Sequence, residues 1–256
     1  MTQKDLIYRK EKQRAYITIN REKQKNSISE QGVNLFLGYL DEAEKDHEVR
    51  VVCITGSGER VFCSGADLQG AMGVDSGKIF ENYAKLLTRI TEFPKPTLAR
   101  INGHCLAGGT GFMLACDIVI ARNDVKFGTP EVNVGLFPMM IGALIFRNVL
   151  RKKAMEMILL GEKLTAEDAL EMGMITRAVP EEHFEDEVDS VLQTLETKSP
   201  IGMKIGKQAF NAIDTMPFSE AVTFLSKELL TVVSTKDAKE GITAFMEKRE
   251  PLFKGE

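Results

Sequence analysis

Short apolar runs of β character alternate with amphipathic stretches of helical spacing through the first half of the chain, and that alternation limits what the chain can become. Arg50 to Thr55 and Thr97 to Ile101 read as buried strands, and each runs on into a glycine-marked turn. Before the first, Val33, Leu35, Phe36, Leu40 and Ala43 recur at helical spacing behind Ser29, a suitable N-cap. Between the two, Lys78 to Glu92 repeats the pattern, and Gly108 to Cys116 followed by Ile118 to Ala121 continues it. Strand–helix alternation of this kind specifies an α/β core with its site where strands hand over to loops and helices. Ahead of it, Leu6-Ile7-Tyr8 and Ala15 to Ile19, separated by the charged stretch Arg9 to Arg14, predict a hairpin with a polar turn.

The pattern changes after Arg151. Thr165-Ala166-Glu167-Asp168 reads as a helix start, and Pro200, Pro217 and Thr235-Lys236-Asp237 punctuate three later helical segments. No β-like run follows Val179, so the last quarter is expected as a helical appendage, packed on the core or on a neighbouring subunit.

Two glycine-marked turns, Ser64-Gly65-Ala66-Asp67 and Ala107-Gly108-Gly109, lie upstream of one carboxylate, Glu131. Each turn by itself is an ordinary tight turn. Together they can leave two backbone N–H groups unpaired and aimed into one pocket, the arrangement that holds a carbonyl oxygen as it becomes an enolate. Glu131 follows Pro130 and precedes the uncharged run Val132 to Pro138. It reads either as an exposed loop residue or as a carboxylate entering apolar surroundings, where burial would raise its pKa into the range of general acid–base work.

Several classes are disfavoured. A net charge of −4 gives no electrostatic reason to bind nucleic acid or an anionic membrane. The four cysteines, Cys53, Cys63, Cys105 and Cys116, form no C-x-x-C pair and read as buried reduced thiols, not a zinc site or a disulfide framework. No phosphate-binding P-loop or dinucleotide fingerprint is present. Charges at Lys4 and Asp5 precede any apolar core, and the uncharged stretches Ile101 to Cys116 and Val132 to Phe146 fall short of a membrane span. A cytoplasmic protein without membrane association is the expectation.

Gly65-Ala66-Asp67, Asn102-Gly103-x-x-x-x-Gly108-Gly109 and Phe127-Gly128-Thr129-Pro130-Glu131 occur in the order and spacing of the enoyl-CoA hydratase/isomerase, or crotonase, family, which the chain resembles over nearly its whole length. The resemblance, not any repeat in residue identity, implies a spiral of ββα turns over residues 1–195. It also implies a helical region, residues 196–256, that builds a homotrimer or a dimer of trimers. It implies an acyl-CoA substrate, with no metal or redox cofactor, since coenzyme A is part of the substrate. Ala66 and Gly108 match the oxyanion-hole positions, and Glu131 matches the proton-transferring glutamate of both hydratases and isomerases. Ser64, Gly65, Asp67, Leu68 and Gly109 fall on the substrate side of those turns, and Pro138 and Met139 on the acyl pocket. Lys248 matches a lysine that reaches the 3′-phosphate of CoA, often from a neighbouring subunit; otherwise it is part of a solvated basic tail.

The departures are informative. Gly111 stands where two-glutamate hydratases carry their second carboxylate, so a single acid–base residue remains and the pocket is expected to be larger there. That pattern is similar to the Δ3,Δ2-enoyl-CoA isomerases and favours double-bond isomerisation. Hydration through a different second group, with His104 the first candidate, and a non-catalytic acyl-CoA-binding subunit are the alternatives. Met139, Met140 and Ile141 replace a glycine-rich run, Glu22 replaces a proline, and Leu229 stands where an aromatic residue is usual near the adenine.

Overall fold

The computed structural model describes residues 4–67 and 76–256. Strands β1 (Leu6–Glu11) and β2 (Arg14–Ile19) form the expected hairpin, but most of the charged stretch assigned to its turn is strand, and only Lys12 and Gln13 turn. β1 lies at the edge of its sheet. Its charged side chains therefore reach water without breaking the ladder, as edge positions allow. Helix α1 (Glu30–Lys45) follows, with the Ser29 hydroxyl accepting from the Gly32 N–H and Val33, Phe36, Leu40 and Ala43 buried.

Three units of one design come next. Each places a strand in a large sheet, a shorter strand in a small sheet, and then a helical segment. The first is β3 (Val51–Gly56), β4 (Val61–Cys63) and α2 (Ser76–Thr91). The second is β5 (Thr97–Ile101), β6 (His104–Leu106) and α3 (Gly108–Leu114). The third is β7 (Ile118–Arg122), β8 (Phe127–Gly128), a 3-10 turn at Pro130–Val134 and α4 (Met139–Asn148). Helices α5 (Arg151–Leu160) and α6 (Ala166–Glu171) lead to the last strand, β9 (Arg177–Val179). The large sheet runs β1-β2-β3-β5-β7-β9, parallel from β2 onwards, and the small parallel sheet runs β4-β6-β8.

The two-residue alternation of a strand explains how the large sheet is covered on both sides. Val52, Ile54, Ala99, Ile101, Val119 and Ala121 face the main core, whereas Val51, Cys53, Leu98 and Ile120 pack on Phe184, Val188, Val191 and Leu192 of α7 (Glu181–Glu196). Two buried asparagines hold the crossings between sheets. The Asn26 amide donates to the Ser57 carbonyl at 2.9 Å and the Val61 carbonyl at 2.6 Å. Asn102 donates to the Gly56 carbonyl at 2.8 Å and accepts from the Thr55 hydroxyl at 3.1 Å.

Helices α8 (Pro200–Ala212), α9 (Phe218–Ser234) and α10 (Lys236–Glu247) form the C-terminal region, starting where Pro200, Pro217 and Thr235 mark them. Asp237 is buried and accepts from the Ser199 hydroxyl at 2.8 Å and from the Lys254 N–H at 2.8 Å, which ties the terminal segment back onto α10. The apolar side chains of this region stay largely in solvent, with Phe218 85% and Phe245 84% exposed in the single chain. No helix among the described residues is long and apolar enough to cross a membrane.

Candidate active site

The C-terminal ends of β4 and β6 deliver the two glycine turns to one place. At the first, the Ile28 N–H donates to the Gly65 carbonyl at 2.8 Å and the Asp67 N–H donates to the Ile28 carbonyl at 2.9 Å. Arg21 braces the same turn, giving its guanidinium to the Asp67 carboxylate at 2.8 Å and to the Ser27 carbonyl at 2.7 Å. The peptides on either side of Ala66 are thus held, while its own N–H donates to no acceptor among the described residues.

At the second turn Ala107 sits at φ 51 and ψ −129, and its N–H donates to the Gly128 carbonyl at 2.9 Å. A non-glycine residue held in such a conformation costs about 1–3 kcal/mol, so the surrounding contacts must enforce it. The Gly108 N–H, next in the chain, also finds no acceptor among the described residues. The two turns touch. Gly65, at φ 97, lies so close that a Cβ on it would come 2.8 Å from the Gly108 nitrogen, and a Cβ on Gly108 would come 3.1 Å from the Gly65 Cα.

Both turns open on a cavity of about 520 Å³ whose lining includes Ser64, Ala66, Tyr83, Gly108 and Glu131. Glu131 is half-buried in the 3-10 turn, and its Oε2 is buried without a hydrogen-bond partner. Burial pushes its pKa up from the ordinary carboxylate value. The arrangement joins two unused N–H donors and one half-buried carboxyl group in a single apolar pocket. The apolar walls come from Ile28, Val33, Ile79 and Phe80 on one set of elements and from Leu136 to Ile141 on another.

The remaining expected residues separate into groups. Pro138 and Met139 line the cavity, Met139 at 74% exposure near its rim. Asp67 lines an adjoining cavity of about 260 Å³, and Leu68 lies outside the described residues. Gly65 and Gly109 do not line the main cavity; a Cβ on Gly109 would overlap the Cys63 carbonyl, so that glycine lets α3 close onto β4. Lys248 is exposed at the C-cap of α10, in the left-handed conformation, and lines no part of the cavity within one chain.

Two expectations are corrected. Gly111 does not enlarge the pocket: it is buried outside the lining, and a Cβ there would overlap the Ile141 Cγ2. The space beside Gly111 is occupied by Ile141. His104 is not available as a second acid–base group either, because it lies outside the lining and its Nδ1 accepts from the Lys126 N–H at 3.1 Å. Burial and the neighbouring Lys163 lower its pKa.

Tyr83 and Glu30 are lining residues that sequence reasoning missed. Tyr83 shares an apolar helix face with Leu86, Leu87 and Ile90, so it reads as core. Glu30 occupies the first turn of α1, where a carboxylate complements the helix dipole and draws no attention.

The family model for enoyl-CoA hydratase/isomerase matches residues 9–256. The chain belongs to that family, and its fold is the crotonase fold with a helical C-terminal region. It is 31% identical over 250 residues to the short-chain-enoyl-CoA hydratase of Clostridium acetobutylicum, covering 96% of each chain. It is 35% identical to the rat mitochondrial enoyl-CoA hydratase domain-containing protein 3 over 218 residues, 84% of this chain and 72% of that one. Among solved structures, an enoyl-CoA hydratase from Bacillus anthracis superposes with a TM-score of 0.93 at 29% identity, covering 98% of this chain and 100% of that one.

Proposed function

We propose that the pocket binds an unsaturated acyl-CoA, holds the thioester oxygen on the N–H groups of Ala66 and Gly108, and moves a proton from C2 to C4 through Glu131. In this reading the ionised Glu131 takes a C2 proton from a 3-enoyl thioester. The electron pair moves into a dienolate, and its negative charge develops on the oxygen facing the two N–H groups. The same carboxyl group, now protonated, returns the proton at C4 and leaves the 2-enoyl product. One group suffices because donor and acceptor carbons lie on one conjugated unit.

The observation that carries this proposal is the buried, unpartnered Oε2 of Glu131 in the cavity that both free N–H groups enter. The other carboxylate in the lining, Glu30, is exposed. Ile141 fills the position from which a carboxylate at 111 would reach in. The exposed apolar faces of α8 to α10 suit burial in a homotrimer or a dimer of trimers.

Hydration is the second reading, favoured by the hydratase names of the relatives. It would need a water held by another lining group, and besides Glu131 the polar side chains in the lining are Ser29, Glu30, Ser64 and Tyr83. Rates measured with a matched pair of thioesters separate the two readings. The expected outcome is faster movement of the double bond in the 3-enoyl-CoA than addition of water to the 2-enoyl-CoA; the opposite order would establish hydration.

The Ile141 packing sharpens a further expectation. Gly111→Glu alone forces a carboxylate against Ile141 in the core and should destabilise the fold by about 3 kcal/mol or more. The pair Gly111→Glu with Ile141→Ala opens the niche and should raise hydration above that of the parent. Equal hydration by parent and stably folded pair would show that a second carboxylate is not what is missing.

A further inference from the structure

The Tyr83 hydroxyl donates to the Gly108 carbonyl at 2.6 Å and lies 2.7 Å from where a Cβ of Gly108 would stand. Its ring is 4% exposed and tilted against Phe112 at a centroid distance of 5.2 Å, and Phe112 packs in turn on Phe36 at 5.7 Å. The phenol thus comes from α2 on a ring that cannot easily shift, and it ends on Gly108, which lines the cavity and whose N–H finds no acceptor among the described residues. Gly108 has no side chain to fix its orientation, and glycine explores backbone angles more freely than any other residue. The residue before it, Ala107, is held in a conformation that it would leave if released. The peptide that carries the Gly108 N–H is held through its carbonyl, Ala107 O, which accepts from the Thr110 N–H at 2.9 Å, and the peptide that follows is held by Tyr83 at the Gly108 carbonyl, so that the two contacts together fix both torsions of this glycine.

We propose that Tyr83 is a positioning residue that, by fixing the peptide that follows Gly108, keeps this glycine in the conformation that aims its N–H at the oxygen of the bound thioester. This rests on the assignment of Ala66 and Gly108 as oxyanion donors. Burial, together with the nearby Cys63, Cys105 and Glu131, pushes the phenol pKa well above its ordinary value, so the hydroxyl remains a neutral donor across the working pH range. It therefore does not act as a base. Fixed donors matter most where charge is greatest, so releasing Gly108 weakens the enolate-like transition state more than the bound ground state.

The test is Tyr83→Phe, which keeps the ring and its packing on Phe112 and removes the hydroxyl. Turnover should fall about tenfold, the effect of one lost positioning hydrogen bond, with KM changed by less than about twofold. A spectroscopic measurement reads the hole directly: 4-dimethylaminocinnamoyl-CoA, a conjugated thioester, absorbs at longer wavelength when its carbonyl is polarised. The wild-type protein should shift its band to the red, and Tyr83→Phe should bind it with similar affinity but a smaller shift. A full red shift in Tyr83→Phe, with or without loss of turnover, would overturn the proposal alone. No red shift in the wild-type protein would overturn the oxyanion assignment and this proposal with it.

Discussion

Replacing Glu131 with glutamine is expected to lower turnover about 100- to 10,000-fold while leaving acyl-CoA binding close to that of the parent. The amide fills the same volume but cannot accept and return a proton. The pH dependence follows from the direction of the Glu131 shift. Burial raises its folded-state pKa, and the base form is the working form. The acid limb of kcat/KM should therefore lie above the ordinary glutamate range and vanish in Glu131→Gln. Stability runs the other way. Because the folded state holds this proton more tightly than the unfolded state, folding loses stability as pH rises from the unfolded value through the folded one. Glu131→Gln should consequently melt at a higher temperature than the parent at neutral pH, with the gain disappearing as pH falls into the ordinary carboxylate range. Thermal melts across that range check the sign, and turnover within a few-fold of the parent would remove Glu131 from the mechanism.

Gly108→Pro is expected to cost about 100- to 1,000-fold in rate, the usual consequence of deleting one oxyanion donor. Gly108 opens α3, a position where proline's missing N–H breaks no helical bond, so the substitution removes the donor without interrupting the helix. It also adds bulk: a Cβ at 108 would stand 2.7 Å from the Tyr83 hydroxyl and 3.1 Å from the Gly65 Cα. Gly108→Ala imposes the same crowding and keeps the N–H, which makes it the proper reference. The alanine variant should be impaired through displacement of Tyr83, and the proline variant should be slower still. Equal rates for the two folded variants would mean that crowding, not the donor, accounts for the loss.

How much of this could be read from residues alone depended on element length. β3, β5 and β7 are five- or six-residue strands with apolar cores, and their limits in the sequence reading and in the fold agree closely. The small sheet escaped notice because β4, β6 and β8 have only three, three and two residues, too few for any periodicity. That sheet is nevertheless what brings Ser64 and Ala107 side by side, so the proximity of the two turns rested on family spacing, not on local pattern. The hairpin turn was placed too broadly because charged residues on an edge strand resemble a loop. At the site, Glu131 stood out by its Pro130 flank and its uncharged successor run. Tyr83 did not, because a hydroxyl on an apolar helix face has no sequence signature until its acceptor is known. Gly111 reads in the sequence as extra pocket space, but the neighbour that fills that space is Ile141, thirty residues on, which only packing reveals.

A structure of the protein with a non-reactive acyl-CoA bound would show where the thioester oxygen lies. That oxygen is expected about 2.7–3.1 Å from the nitrogens of both Ala66 and Gly108, with the Glu131 carboxylate facing C2. A thioester oxygen bonded to other donors, or a Glu131 carboxylate turned away from the acyl chain, would contradict it.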